Sequence, residues 1–248
     1  MANLVIDIGN TLTKIAVFGH GNELVHTAHY SAVEAGVLLD LVDQYQINKA
    51  IISSVKKETE NWRSELAKKV DLKYFSAEMT AGVHNHYKTP QTLGLDRLAA
   101  VIGANQLYPG KGSLVIDAGT AITYDWIDAD GNYFGGSISP GLNMRYKALN
   151  YYTDALPLIT IDDQFDDGYG NDTISAIRSG VQNGVKYEVT GFIESYRKNE
   201  PELNIILTGG DGIFFDTLLK NSIFARYIKN EPYLVLKGLN AAIQNNND

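Results

Sequence analysis

The sequence predicts an α/β protein built from two repeats of one plan. Three observations carry that expectation. Leu4–Thr11, LVIDIGNT, runs apolar residues into an acid and a glycine turn, and Leu114–Thr123, LVIDAGTAIT, repeats the design. Sliding one copy over the other by 110 residues needs no gap, and 8 of the 21 positions from Leu4 to Leu24 match their counterparts from Leu114 to Phe134. Behind each copy, short apolar runs bounded by turn residues give way to segments with helical spacing.

In the first repeat, the strand ending at Asp7 is followed by a second over Leu12–Phe18, a turn at Gly19–Asn22 and a third strand over Leu24–Tyr30. Ser31 and Glu34 have capping-box spacing, and Val33, Val37, Leu38, Leu41, Val42 and Tyr45 recur at helical intervals. A helix is therefore expected over Val33–Tyr45. Lys49–Val55 reads as a strand, Glu58–Val70 as a helix and Leu72–Ser76 as a strand. Met79–Thr92 is polar and less regular. A helix over Leu93–Tyr108 is stopped by Pro109 and Gly110, and Gly110–Gly112 is the best hinge candidate.

The second repeat follows suit. Ser113–Asp117, Ile122–Ile127 and a run from Tyr133 read as strands, and Gly135–Gly141 leads into a helix over Leu142–Tyr151. Asp172–Tyr196 is a long helical stretch whose stripe of Ile174, Ile177, Val181 and Val185 is interrupted by Gly180 and Gly184, which allow close packing or a kink. Leu203–Leu207 is a strand running into Thr208-Gly209-Gly210-Asp211. A helix, a short strand near Tyr227 and a last helix through Ala241 complete the chain, and the tail from Asn245 is expected to fray. The expected domains are 1–112 and 113–248.

Composition sets bounds on function. With 248 residues, 44% of them hydrophobic and 20% charged, the chain can bury a core without disulfide or metal staples. A net charge of −8 argues against a nucleic-acid surface, which needs a basic stripe, but not against anion binding by backbone amides. The absence of cysteine excludes disulfides, thiol catalysis and thiolate zinc sites, and fits a reducing cytoplasm. No apolar run reaches the roughly 18 residues of a membrane span, and the N-terminus lacks the basic-then-apolar pattern of a secretory signal. The expectation is a cytoplasmic protein that engages neither membrane nor nucleic acid.

The turns carry the chemistry. In Asp7-Ile8-Gly9-Asn10-Thr11 the acid ends a rigid strand, Gly9 lets a ligand approach the backbone, and successive N–H groups with the Thr11 hydroxyl can cradle phosphate oxygens. A carboxylate beside phosphates suits magnesium, held directly or through water. The plainer alternative is a hairpin turn that uses Asp and Gly for their backbone preferences. A matching acid in each repeat favours the ligand reading. Gly209-Gly210 is placed to let a base or ribose approach, although such a pair also serves as an ordinary turn. Asp96, opening the helix after Gly94, is either a capping acid favoured by the helix dipole or a base that orients a hydroxyl, with Arg97 steadying anionic groups. The histidines do not form a zinc-ligand pattern.

Taken together, Asp7–Thr11, Asp117-Ala118-Gly119-Thr120 and Thr208-Gly209-Gly210 resemble the phosphate and adenosine motifs of the actin–hexokinase superfamily. Within it, Tyr87–Arg97, Gly135–Gly141 and Gly170-Asn171-Asp172-Thr173 resemble type III pantothenate kinase, in order and over nearly the whole chain. The resemblance implies two duplicated actin-like (ribonuclease H-like) halves with a nucleotide cleft between them, and a homodimer. It implies ATP-dependent phosphorylation of pantothenate to 4'-phosphopantothenate, the first step of coenzyme A biosynthesis. By the same resemblance Asp96 is the catalytic proton acceptor. Tyr87, Gly94, Leu95, Asp96 and Arg97 bind pantothenate, and Thr173 does so across a subunit interface. Asp7, Ile8, Gly9, Asn10, Thr11, Leu12, Thr13, Lys14 and Thr120 bind ATP. Asp117 holds a monovalent cation, potassium or ammonium, and Asp7 serves magnesium. Alternatives in view of the sequence are another small phosphoryl-transfer enzyme of the superfamily and a non-catalytic regulatory binder on the same scaffold.

Overall fold

The computed structural model describes residues 2–54, 62–220 and 222–245. The expected strand end at Val55, the helix start at Glu58 and the tail beyond Asn245 lie outside the described residues. Two compact units emerge. The first comprises residues 1–109, 131–134 and 233–248, and the second comprises 110–130 and 135–232. The chain grouping by packing is a different matter from the expected duplication boundary at 112/113, which stays a proposal.

The first unit is built on a sheet of β1 (Ala2–Ile8), β2 (Thr13–Phe18), β3 (Leu24–Tyr30), β4 (Ile47–Ser54) and β5 (Asp71–Tyr74), in the order β3-β2-β1-β4-β5. β1 lies at the centre with all seven residues buried, antiparallel to β2 and parallel to β4. A central strand covered on both faces reads as an unbroken apolar run, which is what Leu4-Val5-Ile6 is. Helix α1 (Ala35–Tyr45) buries Leu38, Leu41 and Val42 and ends at Gln46 in the left-handed conformation. The expected capping box is not formed. The chain stays extended through Glu34, which is itself the N-cap, so Ser31 lies three residues outside the helix. A short α2 (Trp62–Leu66) precedes β5.

Helix α3 (Leu95–Leu107) is buried continuously from Arg97 to Ala104. One reason is its crossing with α8 (Leu234–Asn245), where two glycines remove the spacing that side chains would impose. A Cβ on Gly103 would lie 2.5 Å from the Leu234 carbonyl oxygen, and one on Gly238 would collide with the Ala99 carbonyl. The Asn3 amide donates to Asn240 Oδ1 at 2.9 Å, tying the last helix to the first strand. The short strand β6 (His84–Asn85) pairs with Asn132 and Tyr133, the first residues of β9 (Asn132–Pro140).

The second unit holds β7 (Ser113–Ala118), β8 (Ala121–Ile127), most of β9 (Asn132–Pro140), β10 (Asn204–Thr208) and β11 (Ile228–Asn230), ordered β11-β10-β7-β8-β9. Read from the meander edge, both sheets have the order third, second, first, fourth, fifth. Strand directions also match, because β7 is antiparallel to β8 and parallel to β10. The duplication is therefore topological as well as sequential. The strand expected from Tyr133 onward runs through Gly135 and Gly136 to Pro140 before α4 (Leu142–Tyr151).

The long helical stretch is interrupted as the two glycines suggested. Helix α5 (Thr173–Arg178) passes through a π-type turn over Ser179–Asn183 into α6 (Gly184–Arg197). The extra residue per turn keeps Val181, Val185, Val189 and Ile193 on the buried side. Asp172 caps α5: its carboxylate accepts from the Ser175 N–H at 3.0 Å, and the Ser175 hydroxyl accepts from the Asp172 N–H at 3.1 Å. Helix α7 (Gly212–Leu219) follows β10.

Candidate active site

In the first unit, three side chains stand in a row on one face of the sheet. Asp7 at the end of β1 is paired across to Lys14 on β2 and lies beside Ser53 on the parallel strand β4. Directly opposed residues in neighbouring strands point to the same side, so the lysine and the hydroxyl flank the acid. The Ser53 hydroxyl donates to the Asp7 carboxylate. Both residues are buried, Asp7 at 8% exposure and Ser53 at 1%. The turn that follows is open: Asn10, Thr11 and Leu12 are exposed, while the Gly9 N–H closes on the Leu12 carbonyl at 3.1 Å. Ile8 and Thr13 turn their side chains into the core, which leaves backbone groups as their route to a ligand.

Asp96 comes to the same place from α3. Its charge is close enough to act on Asp7. Burial pushes the Asp7 carboxyl up from 3.8 to about 6; Lys14 opposes that rise, Asp96 adds to it, and the Ser53 bond opposes it. Asp96 Oδ1 accepts from the Arg97 N–H at 2.8 Å, which fixes the carboxylate at the first turn of the helix. Gly94 leaves room for it, since a Cβ there would lie 2.6 Å from that oxygen. Arg97 is buried, with its guanidinium 5.7 Å from the centre of the Tyr87 ring, and Tyr87 stacks on Tyr133 at 6.4 Å. Asp7, Lys14, Tyr87, Gly94, Leu95, Asp96 and Arg97 thus belong to one unit. Ser53 and Tyr133 join them without having been singled out in the sequence. Ser53 ends an apolar strand like any turn-proximal serine, and Tyr133 reaches Tyr87 only through the β6–β9 pairing.

The second unit carries the other acid. Asp117 on β7 is paired to Thr123 on β8 and to Thr208 on β10. Gly209 has φ +90°, and a Cβ there would collide with both the Asp117 carboxylate and the Ala118 carbonyl. Here glycine is required twice over, by conformation and by space. The Asp211 N–H donates to the Ala118 carbonyl at 2.9 Å, and the Gly141 N–H donates to the Thr120 carbonyl at 3.1 Å. The Gly119–Thr120 turn therefore sits between the turn at Gly209 and the turn at Gly141, with Thr120 exposed. Thr173 is also exposed, at the first turn of α5.

These are the parts a phosphoryl-transfer site needs: acids on rigid strands, glycine turns with accessible backbone, and an acid at a helix start beside a buried arginine. The chain matches the family model for type III pantothenate kinase over residues 3–195. Curated relatives bearing that name include proteins of Phocaeicola vulgatus, 48% identical with 98% of each chain covered, and of Bacteroides fragilis, 44% identical with 99% of this chain and 98% of the relative covered. The chain belongs to the type III pantothenate kinase family. Solved structures similar in fold include a protein assigned to the Baf family of transcriptional activators from Campylobacter jejuni (TM-score 0.61, 21% identity, 98% of each chain covered). Another is the activator of 2-hydroxyisocaproyl-CoA dehydratase from Clostridium difficile with bound ADPNP (TM-score 0.59, 14% identity, 98% of this chain and 95% of that one covered). At such identities they speak for the fold alone, which is the two-part actin-like α/β architecture expected from the sequence.

Among the described residues, no group of three or more His, Cys, Asp or Glu side chains is placed to hold a metal, and no helix is long and apolar enough to cross a membrane. The donors present suit cations bound together with a phosphate ligand. Asp7 is a buried carboxylate disfavoured as a lone charge, and magnesium commonly takes one or two carboxylates and completes its shell with phosphate and water. Asp117 is flanked in register by two threonines, an oxygen-donor environment that suits a hard cation.

Proposed function

We propose that this chain phosphorylates the primary hydroxyl of pantothenate with ATP, giving 4'-phosphopantothenate and opening coenzyme A biosynthesis. The observation that carries the reading is the meeting of Asp7 and Asp96 in the first unit, beside Arg97 and Tyr87. It is supported by membership of the type III pantothenate kinase family. Asp96 accepts a hydrogen bond from the acceptor hydroxyl and aligns it with the γ-phosphate. Because the transition state is loose, alignment and charge neutralisation contribute more than full deprotonation. Arg97, held against the Tyr87 ring, steadies the anionic substrate. The Asp7–Lys14 segment and Thr120 serve ATP through backbone donors, the Lys14 ammonium and the hydroxyls of Thr11 and Thr120.

Asp7 would hold magnesium, through water, and Asp117 a potassium or ammonium ion. Both cations would supply positive charge to the phosphates. Thr173 would complete the pantothenate site of a partner subunit. The exposed apolar residues of α4, α6 and the segment between them support a homodimer: Tyr151, Tyr152 and Tyr169 are each about 80% exposed, and Tyr187 is 66% exposed. The reading places the protein in the cytoplasm, where ATP is available.

The test is ATP turnover by purified protein with and without pantothenate, in potassium and then in sodium buffer with magnesium present. Pantothenate-dependent turnover that requires potassium supports acceptor and Asp117 site together. Turnover indifferent to potassium keeps the kinase and removes the cation assignment. Absence of pantothenate-dependent turnover in both salts overturns the reading.

A further inference from the structure

A charged cluster in the second unit lies outside every residue named so far as a ligand contact. Arg145, on α4, reaches three oxygens. Its Nε donates to the Pro140 carbonyl at 2.8 Å, and its Nη2 donates to the Ser139 hydroxyl at 2.8 Å and to Glu188 Oε2 on α6. The other carboxylate oxygen of Glu188 accepts from the hydroxyl of buried Tyr124 on β8 at 2.8 Å. Arg145 and Glu188 keep only 21% and 23% of their side-chain surface exposed. Partial burial works against the Glu188 charge, but the bonds from Arg145, Ser139 and Tyr124 outweigh it and hold the carboxyl below its usual range.

What this cluster grips is the end of β9, Ser139 and Pro140, immediately before Gly141. Gly141 in turn is seated on the second hairpin turn. Its N–H donates to the Thr120 carbonyl, and a Cβ on it would collide with the Gly119 and Thr120 carbonyls. The grip is one residue away from a contact with no slack. A planar guanidinium with donors in a fixed fork can hold a backbone carbonyl, the hydroxyl of the residue before it and a carboxylate at once, which an ammonium cannot. Three secondary-structure elements, β8, α4 and α6, thereby converge on one turn.

We propose that Arg145 and Glu188 are positioning residues for the Thr120 turn: they clamp Ser139–Pro140, set Gly141 against Gly119–Thr120, and so hold Thr120 in the geometry that receives ATP. The inference rests on the proposed role of Thr120. A brace that served stability alone would lower the melting temperature and leave ligand affinity untouched. A positioning brace acts on ATP and spares pantothenate, whose proposed contacts on this chain, Thr173 apart, lie in the first unit.

The experiment measures the dissociation constant of a non-hydrolysable ATP analogue by calorimetry, the two KM values and the melting temperature. The proteins are the wild type, Arg145→Met, Arg145→Lys, Glu188→Gln and Thr120→Ala. Arg145→Met is expected to weaken the analogue about tenfold or more, with the pantothenate KM changed less than twofold. Arg145→Lys and Glu188→Gln, which disturb the fold less, are expected to weaken it several-fold in the same direction. Unchanged analogue affinity in all three clamp variants, or equal rises in both KM values, overturns the proposal. If Thr120→Ala binds the analogue as the wild type does, the role of Thr120 is what fails, and the inference falls with it. If Thr120→Ala is weakened and the clamp variants are not, the clamp alone is refuted.

Discussion

The burial of Asp7 makes a prediction about stability that runs opposite to the usual effect of removing a site residue. Its carboxyl is raised from 3.8 to about 6, chiefly because the charged form is desolvated. At about 1.4 kcal/mol per pH unit, that rise corresponds to about 3 kcal/mol between the folded and unfolded chain. Below pH 4 Asp7 is protonated in both states and costs nothing. From pH 4 to 6 the unfolded chain ionises while the folded one keeps its proton, so the folded state binds more protons and stability falls as pH rises. Above pH 6 the full cost is present. Asp7→Asn never ionises and still offers Ser53 an acceptor. The variant should therefore match the wild type near pH 4 and exceed it by up to about 3 kcal/mol at pH 7.5. The assay is urea unfolding followed by circular dichroism across that range, without nucleotide or divalent cation. Magnesium with ATP should stabilise the wild type more than the variant, because bound positive charge relieves the buried carboxylate. The same substitution should cut turnover on the order of 10²-fold. A stability difference that stays flat from pH 4 to 7.5, or a variant less stable at pH 7.5, would refute the reasoning.

Three further outcomes follow from the site. Asp96→Asn keeps an acceptor for the Arg97 N–H, so the fold should persist while kcat falls on the order of 10²-fold or more; near-normal turnover would remove Asp96 from its role. Gly94→Ala puts a methyl group 2.6 Å from Asp96 Oδ1, a flexible end that yields by moving, so kcat should fall about tenfold or more with the melting temperature little changed. A normal kcat there would show that the carboxylate position is not critical. Thr173→Ala should raise the pantothenate KM several-fold and leave the ATP KM near its wild-type value, and equal effects on both would argue against the contact.

How much of this was legible in the sequence depends on the range of the interaction. The β1 hairpin, the matching acids and the helix opening at Asp96 are local patterns, and the structure has them where they were expected. The missed helix start at Ala35 is local too, but Ser31 competes with an extended stretch, and spacing alone does not reveal which residue leaves the helical conformation first. The strand run from Tyr133 has no legible end in the sequence, because Gly135 and Gly136 are poor strand formers. In the fold a Cβ on Gly136 would collide with the Tyr124 carbonyl, so close approach of a neighbouring strand, not chain flexibility, selects it. Arg145 and Glu188 are 43 residues apart on different helices, and no periodicity connects them. Asp172, legible in the sequence as the start of the long helical stretch, is the cap of α5.

The two repeats illustrate how a shared frame comes to hold unlike chemistry. In sequence they align without a gap, yet their hairpins differ by one residue: Asp7 is paired to Lys14, whereas Asp117 is paired to Thr123. The first turn is longer, and the slip decides which side chain stands opposite each acid. On the parallel side the neighbours are Ser53 and Thr208, both hydroxyls. Asp7 thus shares its face with a cation, which lowers its net pull on a metal and adds positive charge for phosphate. Asp117 instead faces two hydroxyl residues in register, Thr123 and Thr208, with no lysine directly opposite it. On the proposed reading this is why one acid serves magnesium through water while the other serves a monovalent cation. A single residue of turn length, invisible to an ungapped comparison of the repeats, is enough to separate the two roles.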